Sequence, residues 1–382
     1  MSRRVTLSVD LSALQENYRA LCAYMKARNP ALRGVICVVK ADAYGQGALP
    51  IVAALKGAGA RLFAVSDLSE ALALLPICPG RELLVLGYTP PEEAPVAARH
   101  GIALSVHSYV YAKALEKALN GKSLSVHLKL NSGMNRAGFS LSPPDLTVSL
   151  QQICALMKSP VLRPLSLYSH LGTADARDGL YRLQGRRFRE AVGRLFSAGV
   201  RLPAHLGASA EGLLTGGAPY PLCRLGLSLY GYSPIPLPKG LRLLPISTLT
   251  ATLAADYPLH PGERVGYGGI FRAKEEGRLG LLPIGYADGL PRGAAGAFVY
   301  YKDLPLPLIG RVSMDSATVL LSGAPPIPPF ARLRLFGKDP CELLALCRHT
   351  DTIPYELLAG LGNRIFRKYS YGISQKRPAS PS

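Results

Sequence analysis

The stretch VVKADAYGQG, residues 38–47, runs an apolar segment into Lys40 and then into a tyrosine and two glycines. A long cation where a buried strand ends is either a solvated terminus or a chemical tool. Other apolar runs end the same way: Lys129 in LSVHLKL, His170 in LSLYSHL, Ser209 after PAHLG and Arg224 beside LGLSLY. Any one of these residues alone reads as structural. Five polar or charged residues on independent strands read as a site when their strand ends converge.

Convergence requires an architecture, and the periodicity supplies one. A helical repeat spans 12–27, opening with the capping-box spacing of Ser12 and Gln15. Strands are expected at 34–40, 62–66, 83–87, 102–106, 124–130, 165–171, 203–207 and 225–230. Most are continuously apolar, as strands covered on both faces should be, and the intervals between them accommodate crossover helices. Eight such units predict an α/β fold, a (β/α)8 TIM-type barrel, whose chemistry sits at the C-terminal strand ends. Near residue 236 the proline-rich SPIPLPKG changes the texture, and Gly- and Pro-punctuated strands follow. The expected division is a barrel over 1–236 and a C-terminal mainly β domain over 237–382. Landmarks of the second part are VGYGG (265–269), PIGYADGLPR (283–292) and GRVSMD (310–315), with tyrosines placed in glycine-flanked turns.

The 382 residues carry a formal net charge of +19, which raises nucleic acid as a partner. The densest basic stretch, YRLQGRRFRE (181–190), falls on an amphipathic pattern of Leu180, Leu183, Phe188, Val192 and Leu195, and lacks an RNA-binding aromatic signature. It reads as a solvated helix face, and the tail SQKRPASPS as disordered. Cysteines 22, 37, 78, 154, 223, 341 and 347 are scattered singly, disfavouring both a disulfide framework and a zinc site. Without an N-terminal apolar region or a membrane-length run, a cytoplasmic protein with no membrane partner and no metal is expected.

The motifs together resemble the alanine racemase family over nearly the whole chain. VVKADAYGQG is similar to its pyridoxal 5'-phosphate (PLP) lysine signature, with Gln46 where histidine is usual. LKLNSGMNRAGF (128–139), SHLGTAD (169–175), RLGLSLYG (224–231), VGYGG, PIGYADGLPR and GRVSMD match in order. The resemblance implies a PLP-dependent isomerase that interconverts L- and D-alanine by two bases, supplying D-alanine for peptidoglycan. A related racemase for serine or lysine and a non-catalytic PLP carrier are the alternatives.

By resemblance, Lys40 binds PLP and acts as one base, because an amine forms a reversible imine and can then accept a proton. Tyr267, from the neighbouring subunit of a homodimer, is the other. A phenol's ordinary pKa near 10 puts its anion roughly 4 kcal/mol uphill at pH 7, and His170 and Arg224 are expected to help, with Arg224 against the pyridine nitrogen. Tyr44, His170, Ser209, Arg224, Gly226, Leu227 and Tyr355 are the implied cofactor contacts, with Ala208 standing where asparagine is usual. The implied substrate-carboxylate site comprises Arg136, Met314 and Asp315, with Tyr286 narrowing the pocket. Lys129 matches a lysine carbamylated in many members, and Asn131 replaces the more frequent aspartate beside it.

Overall fold

In the computed structural model, which describes residues 4–372, the chain opens with β1 (Val5–Asp10) and α1 (Leu11–Arg28). The cap of α1 is Asp10 rather than Ser12: its Oδ1 accepts the N–H groups of Ser12 (2.8 Å) and Ala13 (3.0 Å). Asp10 has an extended backbone, φ −90°, whereas Ser12 already lies inside the helix. Gln15, freed from capping, donates to the Ala54 carbonyl at 2.9 Å and ties α1 to the barrel wall.

The barrel follows. Its strands are β2 (Gly34–Val38), β3 (Leu62–Val65), β4 (Leu83–Val85), β5 (Ala103–Val106), β6 (Leu124–Asn131), β8 (Leu162–Tyr168), β9 (Ala204–His205) and β10 (Leu222–Leu225); β7 (Phe139–Ser140) pairs only along β6. Around it lie α2 (Lys40–Gly45), α3 (Ala48–Gly57), α4 (Leu68–Leu74), α5 (Ala94–His100), α6 (Tyr109–Leu119), α7 (Pro143–Leu156), α8 (Gly179–Ser197) and α9 (Ser209–Thr215). All ladders between the eight strands are parallel, in the order β10-β2-β3-β4-β5-β6-β8-β9. The ring is nearly closed, and the Arg224 N–H bridges the remaining gap to the Gly207 carbonyl at 3.2 Å. Ile36, Phe63, Val85, Leu104, Val126 and Leu167 are almost fully buried, each contributing on the order of 2 kcal/mol.

The strand expected at 225–230 differs. β10 ends at Leu225, and Leu227–Tyr230 forms a 3-10 turn. Leu227, Leu229 and Tyr230 are all buried, so the apolar run carries no period that distinguishes strand from turn.

The other large sheet has nine strands and draws mostly on residues beyond 246. β1 lies inside it, antiparallel to Ser247–Thr252 and parallel to Phe366–Ser370. The first strand of the chain therefore belongs to the sheet formed mainly by its last third. Two short helices, Pro340–His349 and Pro354–Ala359, accompany the strands. Helix α8 buries Gln184, Phe188, Ala191 and Leu195 and presents Arg182, Arg186 and Arg189 outward, beside an external cavity of about 480 Å³. The basic tail from Ser374 lies outside the described residues.

Candidate active site

Lys40 follows β2 after the single residue Val39 and opens a left-handed turn: Ala41, Asp42, Ala43 and Tyr44 have φ between 52° and 55°. Four successive non-glycine residues in this region cost about 1–2 kcal/mol each, so the turn persists only because its surroundings hold it. Asp42 Oδ1 accepts the Ala48 N–H at 2.7 Å. From the far sheet Arg367 Nε donates to the Gly45 carbonyl (2.8 Å) and Tyr369 Oη to the Gln46 carbonyl (3.0 Å). Gly45, at φ +70°, approaches Leu358 so closely that a Cβ would fall 2.3 Å from its carbonyl oxygen. Gln46 is fully buried; its Nε2 donates to the Tyr44 carbonyl, leaving Oε1 without a partner among the described residues.

Arg224, on β10, is buried, and no carboxylate pairs with it among the described residues. Its Nη2 donates to the carbonyls of Ser169 (2.7 Å) and Leu206 (3.0 Å) and to His170 Nδ1 (3.3 Å), while Nη1 donates to His205 Nδ1. Because guanidinium can only donate, both imidazoles must accept at Nδ1 and carry their proton on Nε2. Burial and then the Arg224 charge push His170 down to about 3 and His127 down to about 4, and His205 well below its ordinary value. All three are neutral at pH 7. The chain continues inward: Ser166 Oγ lies 3.1 Å from His205 Nε2 and 2.6 Å from His127 Nδ1. Tyr168 stacks on His205 with ring centroids 4.9 Å apart.

Lys129, on β6, faces the Tyr168 ring at 5.9 Å. Burial, then the charges of Arg136, Arg224 and Lys40, lower its pKa to about 8. Packing around Lys40, with the Arg136 charge, likewise lowers its pKa, opposed by Glu70. Lys40, Lys129, Arg136, His170 and Arg224 thus feel one another at the barrel mouth, and the site carries an excess of positive charge. Asn131 does not relieve it, since its side chain is committed to the following turn: Oδ1 accepts the N–H groups of Gly133 (3.1 Å) and Asn135 (3.0 Å).

Beside this cluster Tyr44 packs against Tyr230 and Tyr355, with centroids 4.9 and 6.0 Å away. Ser209 Oγ accepts the N–H groups of Gly226 (3.2 Å) and Ser228 (3.4 Å), and the buried Ser228 hydroxyl has no partner among the described residues. A Cβ at Gly226 would lie 2.5 Å from Tyr44 Oη. Tyr44, Ser209, Gly226, Leu227 and Tyr355 therefore form a tight polar cradle. Ala208 caps α9 through its backbone alone.

Tyr267, Tyr286, Met314 and Asp315 are gathered elsewhere, on the β domain. The Tyr286 N–H donates to the Ser313 carbonyl at 3.0 Å, and the turn carrying Tyr267 abuts Arg311. Asp315 pairs with Arg364 at 2.7 Å. Tyr267 is 69% and Met314 53% exposed. Among the described residues no hydrogen bond joins Tyr267 to Lys40, His170 or Arg224 within the chain.

Two residues at the mouth carry no signal in the sequence reading. Gln184, on α8, donates through Nε2 to the His170 carbonyl (3.1 Å) and accepts the Gly172 N–H (2.8 Å). A polar residue spaced between Leu180 and Phe188 on the apolar face could have revealed it. Glu70, on α4, reaches the backbone beside Lys40, but in sequence it reads as part of a capping box with Asp67.

A barrel with a cationic, histidine-bearing mouth and an adjoining β domain defines a (β/α)8 enzyme whose strand ends converge on one site. Residues 9–234 match the alanine racemase N-terminal domain and residues 246–369 the alanine racemase C-terminal domain. Alanine racemase of Limosilactobacillus fermentum is 34% identical, covering 96% of this chain and 98% of the relative. Alanine racemase 1 of Bacillus subtilis is 31% identical, covering 94% and 92%. The solved alanine racemase of Streptomyces coelicolor A3(2) superposes with a TM-score of 0.86 at 32% identity, covering 96% and 98%. That of Bartonella henselae, described with covalently bound pyridoxal phosphate, gives 0.85 at 26%, covering 96% and 99%. The chain belongs to the alanine racemase family, PLP-dependent isomerases that interconvert L- and D-alanine.

Proposed function

We propose that the barrel mouth holds PLP through Lys40 and racemises alanine between two bases, Lys40 and Tyr267 of a second copy. The cradle supports the cofactor: a space that one Cβ would fill, an unpartnered Ser228 hydroxyl and a Ser209 oxygen facing two N–H groups suit a phosphate. Tyr44, Ser209, Gly226, Leu227 and Tyr355 would bind it, with Arg224 and His170 at the ring. Bound PLP would supply a conjugated ring able to stabilise negative charge at Cα.

Arg224 carries this reading. A buried guanidinium held by carbonyls and neutral imidazoles keeps its protons, so it would donate a hydrogen bond to a ring nitrogen without protonating it. Arg224 would thereby leave a bound ring a moderate electron sink, which would suit a proton exchanged quickly and disfavour longer-lived side chemistry. His170, accepting from Arg224 at Nδ1, presents Nε2–H as a donor to a phenolate. Arg136 binds the substrate carboxylate through parallel hydrogen bonds. Lys40, released as substrate binds, takes or returns the proton at one face of Cα, and Tyr267 serves the other. Tyr286, Met314 and Asp315 of the second copy close the pocket around a small side chain.

The exposed group of Tyr267, Ile270, Tyr286 and Met314 favours this shared site in a homodimer. Among the described residues no helix is long and apolar enough to cross a membrane, and the seven unpaired thiols support a cytoplasmic, reducing location. The test is chiral chromatography of L-alanine, L-serine and L-lysine incubated with PLP-loaded protein and its Lys40→Ala and Tyr267→Phe variants. D-alanine should form preferentially, Lys40→Ala should lose covalent PLP, and Tyr267→Phe should keep PLP but lose turnover. Full racemisation by Tyr267→Phe overturns the base assignment.

A further inference from the structure

The left-handed turn is secured at its far end by Asp42, Arg367 and Tyr369. The end that matters for chemistry is the peptide between Lys40 and Ala41, because its orientation decides where the Lys40 side chain starts. Here one carboxylate acts: Glu70 Oε1 accepts the Ala41 N–H at 2.6 Å and Oε2 accepts the Ser66 N–H at 2.7 Å. Ser66 directly follows β3, the strand that pairs with β2. Both oxygens of one side chain thus fasten the strained turn to the neighbouring strand end.

We propose that Glu70 is a positioning residue for Lys40, fixing the first peptide of the left-handed turn so that the lysine amine is delivered to the barrel mouth. Glu70 is itself well placed for the task. Its own N–H donates to Asp67 Oδ1 at 3.0 Å, and α4 is anchored to the barrel by buried Leu68, Ala71 and Leu74. A carboxylate suits the position because both of its oxygens are acceptors. Glutamine offers one acceptor and turns an NH2 group toward the second N–H. The negative charge also counters Arg136 at Lys40.

The inference rests on Lys40 being the lysine that carries PLP, and the experiment separates the two. Glu70→Gln and Glu70→Ala holoenzymes are compared with wild type in kcat and KM for L-alanine, in the visible absorption of lysine-bound PLP and in melting temperature. Glu82→Ala, which removes the half-buried pair with Lys56, is the control for a stability loss without a positional one. A displacement of about 1 Å at the reacting amine costs up to roughly a hundredfold in rate. The expected result is a kcat reduced about tenfold or more in Glu70→Ala and less in Glu70→Gln, with KM little changed and the absorption band altered. Should Glu70→Ala fail to fold, Glu70→Gln carries the same comparison. A kcat and absorption band indistinguishable from the Glu82→Ala control overturn the proposal. Retention of borohydride-trappable PLP by Lys40→Ala would instead overturn the reading of Lys40.

Discussion

Crossing the two inactive variants in one dimer tests whether the active site is shared. Lys40 opens at the barrel mouth, whereas Tyr267 is 69% exposed on the β domain, with no hydrogen bond to that mouth among the described residues of its own chain. If each site combines Lys40 of one copy with Tyr267 of the other, a dimer of one Lys40→Ala and one Tyr267→Phe chain contains one site with both bases and one with neither. Each homodimer has only defective sites, and loss of a general base lowers the rate about 10²–10⁴-fold. Co-expression of the two chains under different tags should therefore give doubly selected mixed dimers with about half the wild-type kcat per dimer. In an unselected equal mixture about one quarter of sites should recover. Turnover is read by D-alanine formation, and the composition of the dimers by intact mass. Mixed dimers no more active than their inactive parents would place Tyr267's action within its own chain and refute the shared site.

Two other perturbations address the cradle and the buried histidines. Gly226→Ala puts a Cβ 2.5 Å from Tyr44 Oη in a packed ring cluster; an overpacking cost of about 1–3 kcal/mol should weaken PLP binding roughly tenfold to a hundredfold, measurable by equilibrium titration of stripped protein. His170, His127 and His205 are held below their ordinary pKa in the folded state, so the unfolded chain binds more protons once pH falls below about 6.5. Stability should fall as pH drops from about 6.5 toward 4, by up to about 3 kcal/mol for each imidazole, and a melting temperature flat across that window would show that these imidazoles are not buried neutral.

Much of the barrel was legible because its strands are short, apolar and evenly spaced, a pattern set by local burial. The strand expected at 225–230 was not, since a run buried on every side looks alike as strand or turn. Similarly, Ser12 and Gln15 had the spacing of a cap, yet Asp10 two residues earlier had the extended backbone that capping needs. The motif residues at strand ends were visible by type, and the structure gathers Lys40, Lys129, Arg136, His170 and Arg224 at one mouth while holding Tyr267 and Met314 apart.

The sequence by itself determined that a barrel would be followed by a β domain, and that cationic and imidazole groups would stand at its strand ends. These follow from side-chain period and residue chemistry, which each segment carries locally. Only the tertiary structure decided that β1 joins the distant sheet and that Arg224 is held by carbonyls and neutral histidines instead of a carboxylate. It also decided that Asn131 is spent on its own turn, and that Glu70 and Gln184 fasten the backbone beside Lys40 and His170. Each of these depends on which remote segments meet, and a hydrogen bond across the fold leaves no period in the chain that makes it.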